Sequence, residues 1–288
     1  MPYPRDIRII DTLLDLPRED RAAKERFANL RDADSVAGKG GHPAGYLFKD
    51  TPEARTPGAD PVGDTLRAMD QFGIETAVFN LTKDGWTDTE AYAARTHPTR
   101  FRPVLQVDPN TGMDAVRATS RAHAELGIVG VTLFPVGYVP PVPINDKRMY
   151  PLYAKCVELD VPVSVQVGHV LEAMPSDCGR PIYLDRVACD FPELRILASH
   201  TGWPWVEELI SVCYKWDNVW FGVDAWMPKY LSPPILQFVN SRMGADRCVW
   251  GTNGLPWAEN LRQLDDLGLR EDSKRKLLRD NAIELFKL

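Results

Sequence analysis

The feature that narrows the fold most is the unit at residues 162–205, which recurs in looser form along the chain. Pro162-Val163-Ser164-Val165-Gln166-Val167 is an apolar, β-branched run of strand length, and Leu194-Arg195-Ile196-Leu197-Ala198-Ser199-His200 is another. Between them, Arg180-Pro181 opens a segment with apolar residues at helical spacing (Tyr183, Leu184, Val187, Ala188), which Phe191-Pro192 closes. A crossover of this kind joins parallel strands, so His169 and His200 are predicted just beyond the carboxyl ends of neighbouring strands.

The same alternation runs through the rest of the chain. Strand patterns at 7–11, 74–80, 101–106, 128–134, 219–223 and 247–251 alternate with helical spacing at 61–72, 87–96, 112–126, 145–158, 206–215, 233–243, 258–267 and 271–286. Eight strands, each followed by a helix, favour a closed (β/α)8 barrel of the TIM type, a single α/β domain over residues 1–288. No Gly-x-Gly-x-x-Gly follows the first strand, which argues against an open dinucleotide-binding sheet. Residues 18–61 are polar and read as a long loop-and-helix excursion over the barrel mouth.

Composition removes several partner classes. The net charge is −6 with no basic run, so nucleic acid and anionic membrane surfaces are not expected partners. Cys156, Cys178, Cys189, Cys213 and Cys248 include no Cys-x-x-Cys pair; reduced thiols and a cytoplasmic location are expected. No secretory signal or membrane-spanning apolar run is apparent, and a homodimer is the default assembly.

In a barrel of this type the chemistry gathers at the strand carboxyl ends. Those positions hold Asp11 and Asp15 on the first strand, Asn80 on the second, Gln106 and Asp108 on the third, and Gln166 and His169 on the fifth. They continue with His200 on the sixth, Asp224 on the seventh and Asn253 on the eighth. Asp11 has two readings, a reactive carboxylate or a tie from the strand end to a backbone amide. His42 lies in a polar loop, His97 before a proline and His123 in a helix pattern, where structural roles dominate, although His42 reaches the mouth if its loop folds over. Trp203, Trp205, Trp226 and Trp257 could wall a substrate or simply pack.

Four stretches carry a resemblance: Ile10-Asp11-x-x-x-Asp15-Leu16-Pro17, the 179–194 segment, Ser199-His200-Thr201-Gly202-Trp203-Pro204-Trp205 and Gly251-Thr252-Asn253. Together they resemble the amidohydrolase-related (amidohydrolase family 2) proteins, a group with zinc-dependent decarboxylases of aromatic and muconate acids alongside hydrolases. The resemblance implies the same barrel. It also implies an altered metal site. The family's His-x-His positions hold Leu13 and Asp15, its fifth-strand histidine falls on Gln166 and its eighth-strand aspartate on Asn253, while the sixth-strand histidine is kept as His200. Leucine offers no donor, and neutral Gln and Asn are weak ones for zinc.

The expectation is therefore an enzyme without a tightly held metal that acts on a small organic acid or carbonyl compound by general acid–base catalysis. Lyase, isomerase, cyclase and ester or lactone cleavage all suit such groups. His200, His169 and Asp15 are the catalytic candidates, and Gln166, Asn253, Arg180, Asp224 and Trp203 are the substrate-binding candidates. Two alternatives stay open: a zinc or other divalent-metal enzyme using Asp15, His169 and His200, and a barrel that only binds a ligand.

Overall fold

A computed structural model describes residues 7–17, 58–170 and 174–288. Eight parallel strands form one sheet in sequence order: β1 (Ile9–Leu14), β2 (Ile74–Leu81), β3 (Phe101–Gln106), β4 (Gly130–Leu133), β5 (Val163–Gln166), β6 (Ile196–Ser199), β7 (Val219–Asp224) and β8 (Cys248–Gly251). The sheet curls until its ends meet. Thr12 Oγ1 donates to the Trp250 carbonyl at 2.9 Å, and the Asn253 N–H donates to the Leu13 carbonyl at 2.7 Å, so polar contacts from β1 to β8 and the turn after it close the barrel. The (β/α)8 expectation holds.

The helices form where periodicity and caps agree. Helix α1 (Pro61–Phe72) starts at Asp60, whose carboxylate accepts the Gly63 N–H, and ends at Gly73 in a left-handed conformation. Helix α2 (Asp88–Thr96) carries a reciprocal capping box between Thr87 and Glu90. Helices α3 (Met113–Leu126), α4 (Tyr150–Glu158), α5 (Tyr183–Asp190) and α6 (Val206–Lys215) follow, each laying buried aliphatic residues on the barrel wall.

Three boundaries differ from the sequence expectation. The helix expected from residue 145 begins at Tyr150, because Pro151 suits a first helical turn and the residues before it form separate turns. The stretch expected as one helix over 233–243 divides into α7 (Pro233–Asn240) and α8 (Arg242–Ala245), because Ser241 is extended and caps the second piece through its hydroxyl. After α9 (Trp257–Asp265), the last segment comprises α10 (Glu271–Arg275), a π turn (Lys276–Asp280) and α11 (Asn281–Phe286).

Strand alternation divides the side chains into two shells. Leu14, Phe79, Leu105, Val131, Val165, Ala198, Phe221 and Trp250 pack outward against the helices. Ile10, Val78, Val104, Leu197, Trp220 and Val249 fill the barrel interior with Leu285 and Phe286, so α11 plugs its amino-terminal end. The same parity puts Asn80, Gln106, Thr132, Gln166, Ser199 and Asp224 on the inner face nearer the carboxyl ends. Residues 18–57 of the 18–61 excursion, including His42, lie outside the described residues.

Candidate active site

The centre of the mouth is built on the β6–β7 seam, where Ile196, Leu197 and Ala198 pair in register with Val219, Trp220 and Phe221. Continuing that register brings Ser199 and His200 beside Asp224. The Ser199 hydroxyl lies 3.0 Å from both Asp224 carboxylate oxygens and 2.8 Å from His200 Nδ1. The His200 backbone N–H donates to Asp224 Oδ1 at 2.5 Å. His200 has a positive φ of 75°, as do Thr201 at 59°, Ala225 at 58° and Asn253 at 52°, all just past strand ends. Non-glycine residues enter that region at a cost, and their clustering marks the mouth as a place where backbone geometry serves side-chain placement.

Electrostatics at this seam favour neutral forms. The Asp224 side chain is 1% exposed, and burial pushes its carboxyl up to about 7 against the hydrogen bonds from His200 and Ser199. Burial pushes the His200 imidazole down to about 4, although 21% of its side chain is exposed and solvent there works against the shift. With Nδ1 turned to Ser199, Nε2 has no hydrogen-bond partner among the described residues.

The other predicted residues form two satellite groups. Asn80 Nδ2 donates to the exposed Asp15 carboxylate at 3.1 Å, while Thr132 Oγ1 donates to Asn80 Oδ1 at 3.1 Å; Asp15 is thus held from β2 and β4. His169 is exposed; its ring stacks on Trp205 at 5.5 Å and 24°, with Trp203 tilted against it at 5.5 Å. The His169 N–H donates to the Trp203 carbonyl at 2.7 Å, anchoring the β5 loop to the β6 loop. Arg180 lies over the Trp205 ring, and both its Nε and Nη2 bind the Glu208 carboxylate, with the shortest contact 2.6 Å. Trp203 is 40% exposed and leans on Trp226. Gln166 pairs with Ser199 across β5–β6 and is half-buried without a side-chain hydrogen bond to the described residues. Asn253 contributes its backbone to barrel closure.

Asp11 takes the tying role. Fully buried, it accepts from the Leu13 and Thr252 N–H groups, Thr252 Oγ1 and Trp257 Nε1 at distances between 2.5 and 3.1 Å. Burial raises its carboxyl pKa against those bonds. Sequence reasoning passed over Ser199, whose one available signal was inward parity immediately before a strand-end histidine.

Among the described residues, no three His, Cys, Asp or Glu side chains are grouped so as to hold a metal ion, so Asp15, His169 and His200 are not assembled into a ligand set. With Leu13 buried and donorless and Asp11 engaged by four donors, the described donor set does not fit a divalent cation. Among these residues, no helix is long and apolar enough to cross a membrane.

Comparisons with known proteins agree with the barrel fold. The chain is 27% identical to a solved, uncharacterised TIM-barrel protein of Bordetella bronchiseptica, with a TM-score of 0.73 over 97% of this chain and 98% of that one. Against 5-carboxyvanillate decarboxylase of Novosphingobium aromaticivorans, solved with manganese and 4-hydroxy-3-methoxy-5-nitrobenzoic acid, the TM-score is 0.68 at 18% identity, over 99% and 97% of the two chains. Among curated proteins, the chain is 24% identical over 225 residues to a 2-keto-4-carboxy-3-hexenedioate hydratase of a Sphingobium species, which covers 64% of each protein. The amidohydrolase family pattern matches residues 17–288. That match spans nearly the whole barrel, and the chain belongs to the amidohydrolase family.

Proposed function

We propose that this protein is an enzyme that moves a proton on a small organic acid or carbonyl compound, with His200 as the acid–base group and no resident metal. The observation that carries the reading is the Asp224–Ser199–His200 hydrogen-bond chain at the barrel mouth.

The relay gives His200 two tautomers. With Asp224 ionised, Ser199 donates to the carboxylate and accepts from Nδ1–H, leaving the Nε2 lone pair free to take a proton. With Asp224 protonated, the carboxyl donates to Ser199, Ser199 donates to Nδ1, and Nε2 carries hydrogen. The crossover at about 7 lets one imidazole serve as base and then as acid. Groups of this kind suit abstraction of a proton next to a carbonyl, and therefore addition or elimination of water, or cleavage of an ester or lactone. One relative is named a 2-keto-4-carboxy-3-hexenedioate hydratase, a name for the addition of water, which supports a lyase as the leading form.

The remaining residues take supporting roles. His169, placed against Trp203 and Trp205, is the second proton-transfer group, at the rim. Asp15, oriented by Asn80, is the third member of the catalytic set. Gln166, Asn253 and Arg180 are donors for a substrate oxyanion or carboxylate, with Arg180 shared with Glu208, and Trp203 offers a flat apolar wall.

The testing experiment assays hydration, dehydration and lactone cleavage of small keto acids with chelator-treated enzyme and with the His200→Ala variant. Full activity after chelation together with a loss of roughly 10²-fold or more in the variant supports the reading. Activity that disappears on chelation and returns with manganese or zinc would favour a metal-dependent decarboxylase or hydrolase.

A further inference from the structure

The described residues outline a cavity of about 660 Å³ at the amino-terminal end of the barrel, opposite the mouth. It opens between the starts of β1, β2 and β3 and the carboxy-terminal helices that plug the interior. Among the described residues, four arginines line it, Arg8, Arg100, Arg102 and Arg279, against two side-chain carboxylates, Asp70 and Glu75, with Leu288 also at its wall.

Those carboxylates are already engaged. Glu75 accepts from Arg8 at 3.1 Å and from Arg279, while Asp70 accepts from Arg100 at 2.7 Å. Arg102, projecting from β3 at inward parity, has no carboxylate partner among the described residues. Its Nη1 reaches the Pro98 carbonyl at 3.3 Å, and its Nε is buried with no partner among the described residues. A buried guanidinium nitrogen without an acceptor is costly, and its fork suits two oxygens of one anion. Desolvation also depresses the Arg102 pKa, the direction expected of a cation short of counter-charge.

We propose that this cavity binds a small oxyanion carrying two or more negative charges, a phosphate or a polycarboxylate, with Arg102 as the anchoring residue and Arg8 at the rim. The site is independent of the chemistry at the mouth.

Thermal unfolding of the wild type with increasing inorganic phosphate, ionic strength held constant with sodium chloride, tests the proposal; citrate run in parallel identifies the preferred anion. The expected result is a saturating rise in Tm, about 2 to 3 °C at ten times Kd. It should be lost in Arg102→Met, weakened in Arg8→Gln and retained in His200→Ala, whose change lies at the opposite end. Phosphate also stabilises proteins by exclusion from their surface, so a non-saturating rise shared by Arg102→Met would overturn the site. So would a response kept by Arg102→Met and lost by His200→Ala. If Arg102→Met does not fold, ³¹P line broadening of phosphate by the wild type and by Arg8→Gln, altered at a side chain 75% exposed, gives the second readout. A wild-type line width equal to that of free phosphate refutes the proposal.

Discussion

His200 and Asp224 meet twice: the histidine's backbone N–H donates to Asp224 Oδ1 at 2.5 Å, and its Nδ1 stands 3.4 Å from the same oxygen. The backbone bond fixes where the carboxylate lies, and Ser199 then couples it to the ring. Main chain and side chain are thus locked into one relay across the β6–β7 seam.

If Asp224 sets the tautomer of His200, kcat/KM should rise with pH in two steps, one as the imidazole loses its proton near 4 and a second through a limb near 7. Asp224→Asn should hold Nε2 protonated at every pH, because the amide donates to Ser199 and Ser199 then donates to Nδ1. We expect a drop of roughly 10²- to 10⁴-fold and no limb near 7. A variant that keeps the limb would assign it to another group.

The same carboxyl has a stability signature. Its folded pKa is raised above the usual carboxylate value, so between about 4 and about 7 the native state binds more protons than the unfolded state and this contribution falls as pH rises. His200, with its depressed pKa, acts in the opposite direction, losing stability as pH falls from about 6.5 toward about 4. Denaturant melts of wild type and Asp224→Asn across this range should show the wild type's relative stability declining from acid to neutral pH. A pH-independent difference would mean that Asp224 is ionised throughout.

Gly222 leaves room for the carboxylate. A Cβ there would lie 2.5 Å from Asp224 Oδ2 and 2.9 Å from both the Ala198 carbonyl and Ser199 Cα. Gly222→Ala should destabilise by ~1–3 kcal/mol, the usual range for overpacking, and should shift or abolish the limb near 7. A variant with wild-type Tm and pH profile would show that Asp224 has freedom the close contact denies.

Asp11 closes the barrel through donors on β1, the turn after β8 and α9. Asp11→Ala strands buried donors from Thr252 and Trp257, and we expect a loss of ~3–5 kcal/mol, read as a lower urea midpoint at unchanged m. A loss below ~1 kcal/mol would mean that the seam relaxes around the vacancy.

The eight strands were legible because parallel strands buried on both faces are written as short β-branched runs, such as Val163-Ser164-Val165 and Ile74 to Phe79, bounded by helical spacing. His200 was legible as a polar residue at the end of such a run. Ser199 was not, since a serine in a strand looks the same whether its hydroxyl meets solvent, a carbonyl or a carboxylate. Arg180 read as a free donor, and only packing shows Glu208 holding it over Trp205.

By itself, then, the sequence determined the order and period of the elements, hence the barrel and the end of it that carries His169 and His200. These are local properties, set by hydrophobic spacing, turns and strand direction. Tertiary structure decided what those side chains face: Asp224 beside Ser199, Asp11 tied to Thr252, and Arg279 bonded to the Arg8 carbonyl in the cavity that Arg102 also lines. Such pairings join residues 25, 241 or 271 positions apart. They depend on the register of neighbouring strands and on closure of the sheet, because burial and hydrogen bonding act through space and carry no mark in the local sequence.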